Sequence, residues 1–219
     1  MDILNARVLS GGKLLENHAV CCEGGHITNV LPMEQYRSYG ARAIDAGGLV
    51  AVAGYIDQHT HGAAGYDTMD ATKDAMEAIC RHQLATGTTT FLPTTMTATL
   101  EETEHVLAFL SAYHPSVPVD LAGVHMEGPF LSCENRGAHP AALLTRADDG
   151  WRRLIDHNRD LVRVITLSPE LPDMPDFVRW CAERGIVVSG GHDAGWDEVI
   201  HPVIDAGMRA VTHIFCCTS

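Results

Sequence analysis

The chain has 219 residues and a formal charge of −13, from 15 Lys+Arg against 28 Asp+Glu, with 46% hydrophobic and 20% charged residues. That is the composition of a globular protein rather than a disordered one, and its length suits one large domain with a small appendage. Such acidity excludes a nucleic-acid groove, which needs a basic stripe, and no apolar run approaches the roughly 18 residues of a membrane span.

Residues 1–50 are expected to form a small β module. The runs 3–9, 19–22 and 27–31 are apolar or alternating, and Gly11-Gly12 and Gly24-Gly25 part them. Residues 51–219 form the second expected domain, patterned as strand, loop and helix in repetition. The strand candidates are 49–56, 88–92, 119–124, 161–167, 186–189 and 210–215. Thr99-Leu-Glu-Glu102 is a capping box that starts a helix with Val106, Leu107 and Leu110 on one face. Pro175 opens another, with Phe177, Val178 and Cys181 on its apolar face and Gly185 as its end. A third spans 197–206, carrying Val199, Ile200, Val203 and Ile204 along one side, with a kink expected at Pro202. Six strands alternating with helices give an α/β protein of parallel βαβ units, either an open doubly wound sheet or a (β/α)8 barrel. No Gly-x-Gly-x-x-Gly follows a strand, and the polar residues gather at the carboxyl ends of the strands. Both features favour the barrel.

The candidate chemistry sits at those ends. The first strand leads into Asp57-Gln-His59-Thr-His61; residues i and i+2 of an extended chain point to one side, so His59 and His61 can share an ion. The third ends at His125-Met-Glu127-Gly-Pro, the fifth at Gly190-Gly-His192-Asp, and the sixth carries Thr212-His213. Four strand ends out of six bearing an imidazole or a carboxylate point to a metal centre. Nitrogen and oxygen donors without thiolate suit Zn²⁺, Fe²⁺, Mn²⁺ or Co²⁺. Such an ion polarises a carbonyl and acidifies water, so the expected reaction is hydrolysis of an amide, ester or amidine. Asp57 reads as a strand-end acceptor, His125 as a packed or hydrogen-bonded residue, Asp67 and Asp70 as loop-shaping, and Glu170 as structural. Arg136 fits an anionic ligand or a structural ion pair equally well. The seven cysteines form no Cys-x-x-Cys and read as free thiols in a reducing, cytoplasmic setting.

Longer stretches carry a resemblance. Ala53-Gly-Tyr-Ile-Asp57-Gln-His-Thr-His61-Gly, Gly65-Tyr-Asp-Thr-Met-Asp70, Gly123-Val-His-Met-Glu127-Gly-Pro-Phe130 and Arg136-Gly-Ala-His139-Pro look like the N-acetylglucosamine-6-phosphate deacetylase family of the amidohydrolase superfamily. Thr166-Leu-Ser-Pro-Glu170, Gly190-Gly-His192-Asp and Val211-Thr-His213-Ile-Phe215 match in the same order. The Glu-Gly-Pro-Phe and Arg-Gly-Ala-His segments are specific to this family, whereas His-x-His is shared across the superfamily.

The resemblance implies a distorted (β/α)8 TIM-like barrel with a small β-sandwich domain built from both chain ends. It implies that Glu127, His192 and His213 hold the principal divalent metal, Zn or Fe foremost, and that His59 and His61, with Glu127 bridging, hold a second ion where one is present. His139 would contact the sugar, and Arg136 is a further substrate-binding candidate. The implied reaction releases acetate from N-acetylglucosamine 6-phosphate and leaves glucosamine 6-phosphate. Members of the family continue the last of these strands as His-Leu-Phe-Asn-Ala-Met, with Asn-Ala touching substrate. Cys216-Cys217 stands there instead, which keeps open another N-acyl amino sugar or a cyclic amide as the substrate. The family's catalytic Asp falls beyond Ser219, so the barrel is expected to be incomplete and no catalytic residue is assigned within the chain. The phosphate-binding cations come partly from a neighbouring subunit, hence an expected homodimer. A further reading is an inactive chain that acts through a partner completing its sheet.

Overall fold

The computed structural model describes residues 1–38, 40 and 42–218. It divides into two compact units, Met1–Gly54 and Tyr55–Ser219. In the first, β1 (Asp2–Ser10), β2 (Lys13–Glu23) and β3 (His26–Pro32) form an antiparallel meander, and β4 (Ala43–Asp45) and β5 (Val50–Ala51) lie parallel to β1. Ser10 pairs with Lys13, and Glu23 with His26, so both hairpins have two-residue loops. Gly11-Gly12 and Gly24-Gly25 fill those loops with φ of +55° and +74°, and +58° and +82°, the positive values a type I′ turn requires at both positions. Ala6, Val8 and Val20 make the small core of this unit. The sequence reading expects a portion of a β-sandwich here, and the described residues form a β-rich unit with one five-stranded sheet.

The second unit runs β6 (Tyr55–Thr60), the short hairpin β7 (Gly62–Ala63) and β8 (Tyr66–Asp67), α1 (Lys73–Ala85), β9 (Thr88–Thr95) and α2 (Leu100–Ala112). It continues through β10 (Asp120–Leu121), β11 (Val124–Glu127), α3 (Asp149–His157), β12 (Val162–Leu167), α4 (Met174–Ala182), β13 (Val187–Gly190), α5 (Asp197–Ala206) and β14 (Ala210–Val211). β9 pairs with β6 on one side and with β10 and β11 on the other; β12, β13 and β14 follow, all parallel. Strand order thus repeats chain order without the reversal that defines a doubly wound sheet, and the sheet is an incomplete (β/α)8 barrel.

Three strand expectations are corrected. The run 49–56 breaks at Gly54: Val50–Ala51 pairs with β1, while Tyr55 opens β6. The run 119–124 becomes two pieces around Gly123, whose φ of +129° interrupts the extended chain. The run 210–215 ends as strand at Val211, because His213 turns left-handed (φ +58°) and its carbonyl accepts the Cys216 N–H at 2.7 Å. The helix signals hold. Thr99 Oγ1 accepts the Glu102 N–H at 3.2 Å, and the Glu102 carboxylate accepts the Thr99 N–H at 2.9 Å. Pro175 lies in the first turn of α4, and α5 runs through Pro202.

Between sheet and helices, Phe91, Ile79, Leu107, Ile155, Ile165 and Phe177 are fully buried. Phe130 meets Trp151 and Phe177 edge-on, with ring centroids 5.6 and 5.2 Å apart. Truncating Phe177 removes a large, inextensible filler from this layer, so Phe177→Ala should cost about 3–5 kcal/mol in a urea melt, whereas a loss under about 1 kcal/mol would contradict this packing.

Candidate metal centre

Glu127 closes β11 with its side chain 1% exposed, and five imidazoles converge on it. Its Oε1 lies 3.0 Å from His192 Nε2, 3.1 Å from His213 Nε2 and 3.5 Å from His59 Nε2. Its Oε2 lies 2.8 Å from His61 Nε2 and 3.3 Å from His139 Nε2. His59 comes from β6, His61 from just beyond it, His192 and His213 from just past β13 and β14, and His139 from the loop after β11. Each strand therefore delivers its donor at its carboxyl end. His192 and His213 adopt φ of +53° and +58°, sparsely populated for non-glycine residues, and such strain gathers at functional sites.

The remaining ring nitrogens fix the tautomers. His61 Nδ1 faces the Thr94 carbonyl at 3.2 Å and His192 Nδ1 faces the Asn135 carbonyl at 3.0 Å. A carbonyl only accepts, so both Nδ1 atoms carry protons, and in the neutral rings each Nε2 aims a lone pair at Glu127. His139 is the reverse case. Its Nδ1 accepts from the Thr97 N–H at 3.3 Å and lies 2.7 Å from the Thr97 hydroxyl, which places the proton on Nε2. His125 is engaged at both nitrogens, by the Gln58 carbonyl at 2.8 Å and the Thr166 hydroxyl at 2.6 Å. His59 has no hydrogen-bond partner at either buried ring nitrogen; it stands edge-to-face against His61, His125 and His213 at 5.0, 4.8 and 5.1 Å.

Burial alone would raise the Glu127 carboxyl, but hydrogen bonds from His139, His192 and His61 and the charge of His59 outweigh it, holding Glu127 ionised far below the ordinary carboxylate range. Burial pushes His59 down to about 4, against the pull of Glu127. Burial also lowers His125. For His61 and His192, burial is overcome by hydrogen bonding to Glu127 and by its charge, and both imidazoles are raised.

Residues 50–201 match the Amidohydrolase family. The chain belongs to the amidohydrolase family. Among individual proteins it is 33% identical to the human N-acetylglucosamine-6-phosphate deacetylase over 98% of its length and 54% of that protein's. The crystal structure of the Pasteurella multocida N-acetylglucosamine-6-phosphate deacetylase superposes with a TM-score of 0.89 at 27% identity, over 99% of this chain and 57% of that one. A Mycobacterium smegmatis deacetylase variant solved in complex with N-acetyl-D-glucosamine-6-phosphate gives 0.87 at 26% identity, over 99% and 56%. The chain spans about half the length of the curated relatives it matches.

Membership of the amidohydrolase family implies a divalent metal, and the donor set fits one. One donor atom each from His59, Glu127 and His213 lie within 4.8 Å of one another; a second such group joins Glu127 and His192 with His139, whose Nε2 proton keeps it from ligating. Ligands about 2.1 Å from a tetrahedral ion stand about 3.4 Å apart, comparable with the separations around Glu127. The unpartnered nitrogens of His59 are a second mark of a site that takes a cation.

Other sequence candidates lie outside the set of side chains that meet Glu127. The Arg136 guanidinium donates to the Cys133 carbonyl within its own loop at 2.7 Å, and no ion pair involves it among the described residues. Cys217 is half-buried; its Sγ and the His192 ring flank the same point beside Gly137, and its carbonyl accepts the Asp193 N–H at 3.1 Å. Cys216 is exposed. Asp57 accepts the His59 N–H at 3.0 Å, and Asp67 and Asp70 cap one short turn reciprocally. Sequence reasoning missed Thr94, Thr97 and Asn135, which set the imidazole tautomers. The threonine-rich end of β9 is a visible signal for the first two; the Asn135 carbonyl leaves none.

Glu127 raises both His61 and His192 above the ordinary imidazole, so with no cation bound each favours its second proton, and a metal must displace it. Zn²⁺ added to metal-free protein at pH 6.5 should release protons, and its affinity should rise with pH. Calorimetry in two buffers of different ionisation enthalpy counts those protons, and a count of zero would contradict the arrangement.

Proposed function

We propose that the protein containing this chain is a metal-dependent deacetylase that cleaves the acetamide of N-acetylglucosamine 6-phosphate. The observation that carries this reading is the convergence of five imidazoles on one buried carboxylate at strand ends, supported by the names and coverage of the relatives. Glu127, His192 and His213 would hold the principal ion, and His59 and His61 would hold a second with Glu127 bridging. Zinc or iron is the proposed metal, in keeping with an all-nitrogen-and-oxygen donor set. Bound there, a divalent ion supplies Lewis acidity, polarising an amide carbonyl and acidifying water.

The residues of the chain do the positioning. The carbonyls of Thr94 and Asn135 keep the His61 and His192 lone pairs turned inward. His139, protonated at Nε2 by the constraint at Thr97, offers a hydrogen-bond donor to a substrate oxygen. Burial of Glu127 excludes bulk water from the carboxylate. We place the reaction in the cytoplasm, in keeping with seven unpaired thiols, and in a homodimer on the strength of the resemblance alone.

Joining residues 1–219 to the remaining C-terminal length of one of these relatives, with Zn²⁺, Fe²⁺, Mn²⁺ or Co²⁺ supplied, should give acetate release from N-acetylglucosamine 6-phosphate. No release with any of the four would count against the reading. Cys217 beside His192 favours one second reading, an amidohydrolase for another N-acyl amino sugar or a cyclic amide. Removing the phosphate should depress kcat/KM only under the first reading.

Glu127→Ala should strip most of the bound metal from each chain, while His139→Ala, which deletes a donor turned outward from Thr97, should leave metal content unchanged. Elemental analysis of the purified proteins reads both; equal metal in wild type and Glu127→Ala would refute the ligand assignment.

A further inference from the structure

Four polar side chains sit inside the barrel, where branched apolar residues ordinarily fill the space: His125, Thr166, Ser189 and Thr212 are all buried. They form one connected chain. Ser189 Oγ lies 2.7 Å from Thr212 Oγ1, Thr212 Oγ1 lies 2.7 Å from Thr166 Oγ1, Thr166 Oγ1 lies 2.6 Å from His125 Nε2, and His125 Nδ1 lies 2.8 Å from the Gln58 carbonyl.

The direction of every bond follows from its far end. The Gln58 carbonyl only accepts, so His125 donates from Nδ1 and, as a neutral ring, accepts at Nε2. Thr166 must then donate to His125, and its single hydroxyl proton is used. Thr212 therefore donates to Thr166, and Ser189 donates to Thr212. The belt starts on β13, passes the residue just after β14, then β12 and β11, and ends on β6. Four of its five members stand one to three residues before a member of the Glu127 cluster: Gln58 before His59, His125 before Glu127, Ser189 before His192 and Thr212 before His213. The fifth, Thr166, pairs with Glu127 itself across β11 and β12.

We infer that this one-way hydroxyl–imidazole belt is the device that sets the spacing of the metal donors, with Thr166 as its central positioning residue. The inference rests on the metal reading proposed above. Packing alone does not call for it, because apolar side chains of the same shape would fill the interior as well. His59 shows what the belt supplies: its ring nitrogens are without hydrogen bonds, so its orientation rests on the rings around it, and His125 is the one clamped from both sides.

The test is Co²⁺ binding by the purified full chain, followed by visible absorption and by competition with a chelator. Thr166→Val keeps the shape and deletes the link; acting one step further out than a group bonded directly to a metal ligand, whose loss costs about 10–100-fold, it should weaken Co²⁺ binding about 10-fold and alter the Co²⁺ spectrum. Thr166→Ser retains the hydroxyl and should restore both. A destabilised core variant remote from the belt, Ile155→Val, controls for general loosening and should leave affinity and spectrum unchanged. Thr212→Val makes the same deletion one link upstream and decides the matter should Thr166→Val fail to fold. Wild-type affinity and spectrum in whichever of these two variants folds would overturn the inference. A wild-type chain that binds no Co²⁺ would instead sink the metal reading on which it stands.

Discussion

A buried carboxylate facing imidazole nitrogens is the constraint from which the rest of this structure follows. Glu127 is almost wholly removed from water, and an ionised carboxylate in such a place is costly unless positive charge meets it. Two of its neighbours, His61 and His192, have their other nitrogen committed to a backbone carbonyl, so they can meet it only by taking a second proton or by sharing a cation. Exchanging two imidazolium protons for one divalent ion leaves the net charge of the site unchanged.

The barrel is what makes that convergence possible. Parallel strands in chain order send every carboxyl end to one face, and β6, β11, β13 and β14 each deliver a donor there from a different stretch of sequence. Exact aim then requires departures from regular strand. His192 and His213 turn left-handed immediately past their strands, and Gly137 brings its backbone against the His192 ring where a Cβ would already be in van der Waals contact. Local backbone cost is accepted where the donors must meet, as is usual at functional sites.

Much of this was legible in the residues. The alternation of apolar runs with capped helices is a direct consequence of strand and helix periodicity, and Thr99–Glu102 and Pro175 mark helix starts by mechanisms that need no tertiary context. The donor residues stood out because imidazole and carboxylate at the end of an apolar run have few bland explanations. Other features were hidden for physical reasons. The break at Gly54 depends on a pairing between Val50–Ala51 and β1 that is remote in sequence. The proximity of His139 to Glu127 depends on where the loop after β11 folds back, which no periodicity encodes. The hydroxyl belt inside the barrel was invisible because Thr166 and Ser189 suit a strand by propensity alone, and only the register of the paired strands aligns their hydroxyls.

The central claim is that one cation is shared by donors from separate strands. Crystals grown with Zn²⁺ and measured at the zinc absorption edge address it directly. The account predicts an anomalous peak about 2.0–2.2 Å from a Glu127 oxygen and from Nε2 of both His192 and His213. A peak elsewhere, or none with Glu127 bonded only to protonated imidazoles, would contradict it.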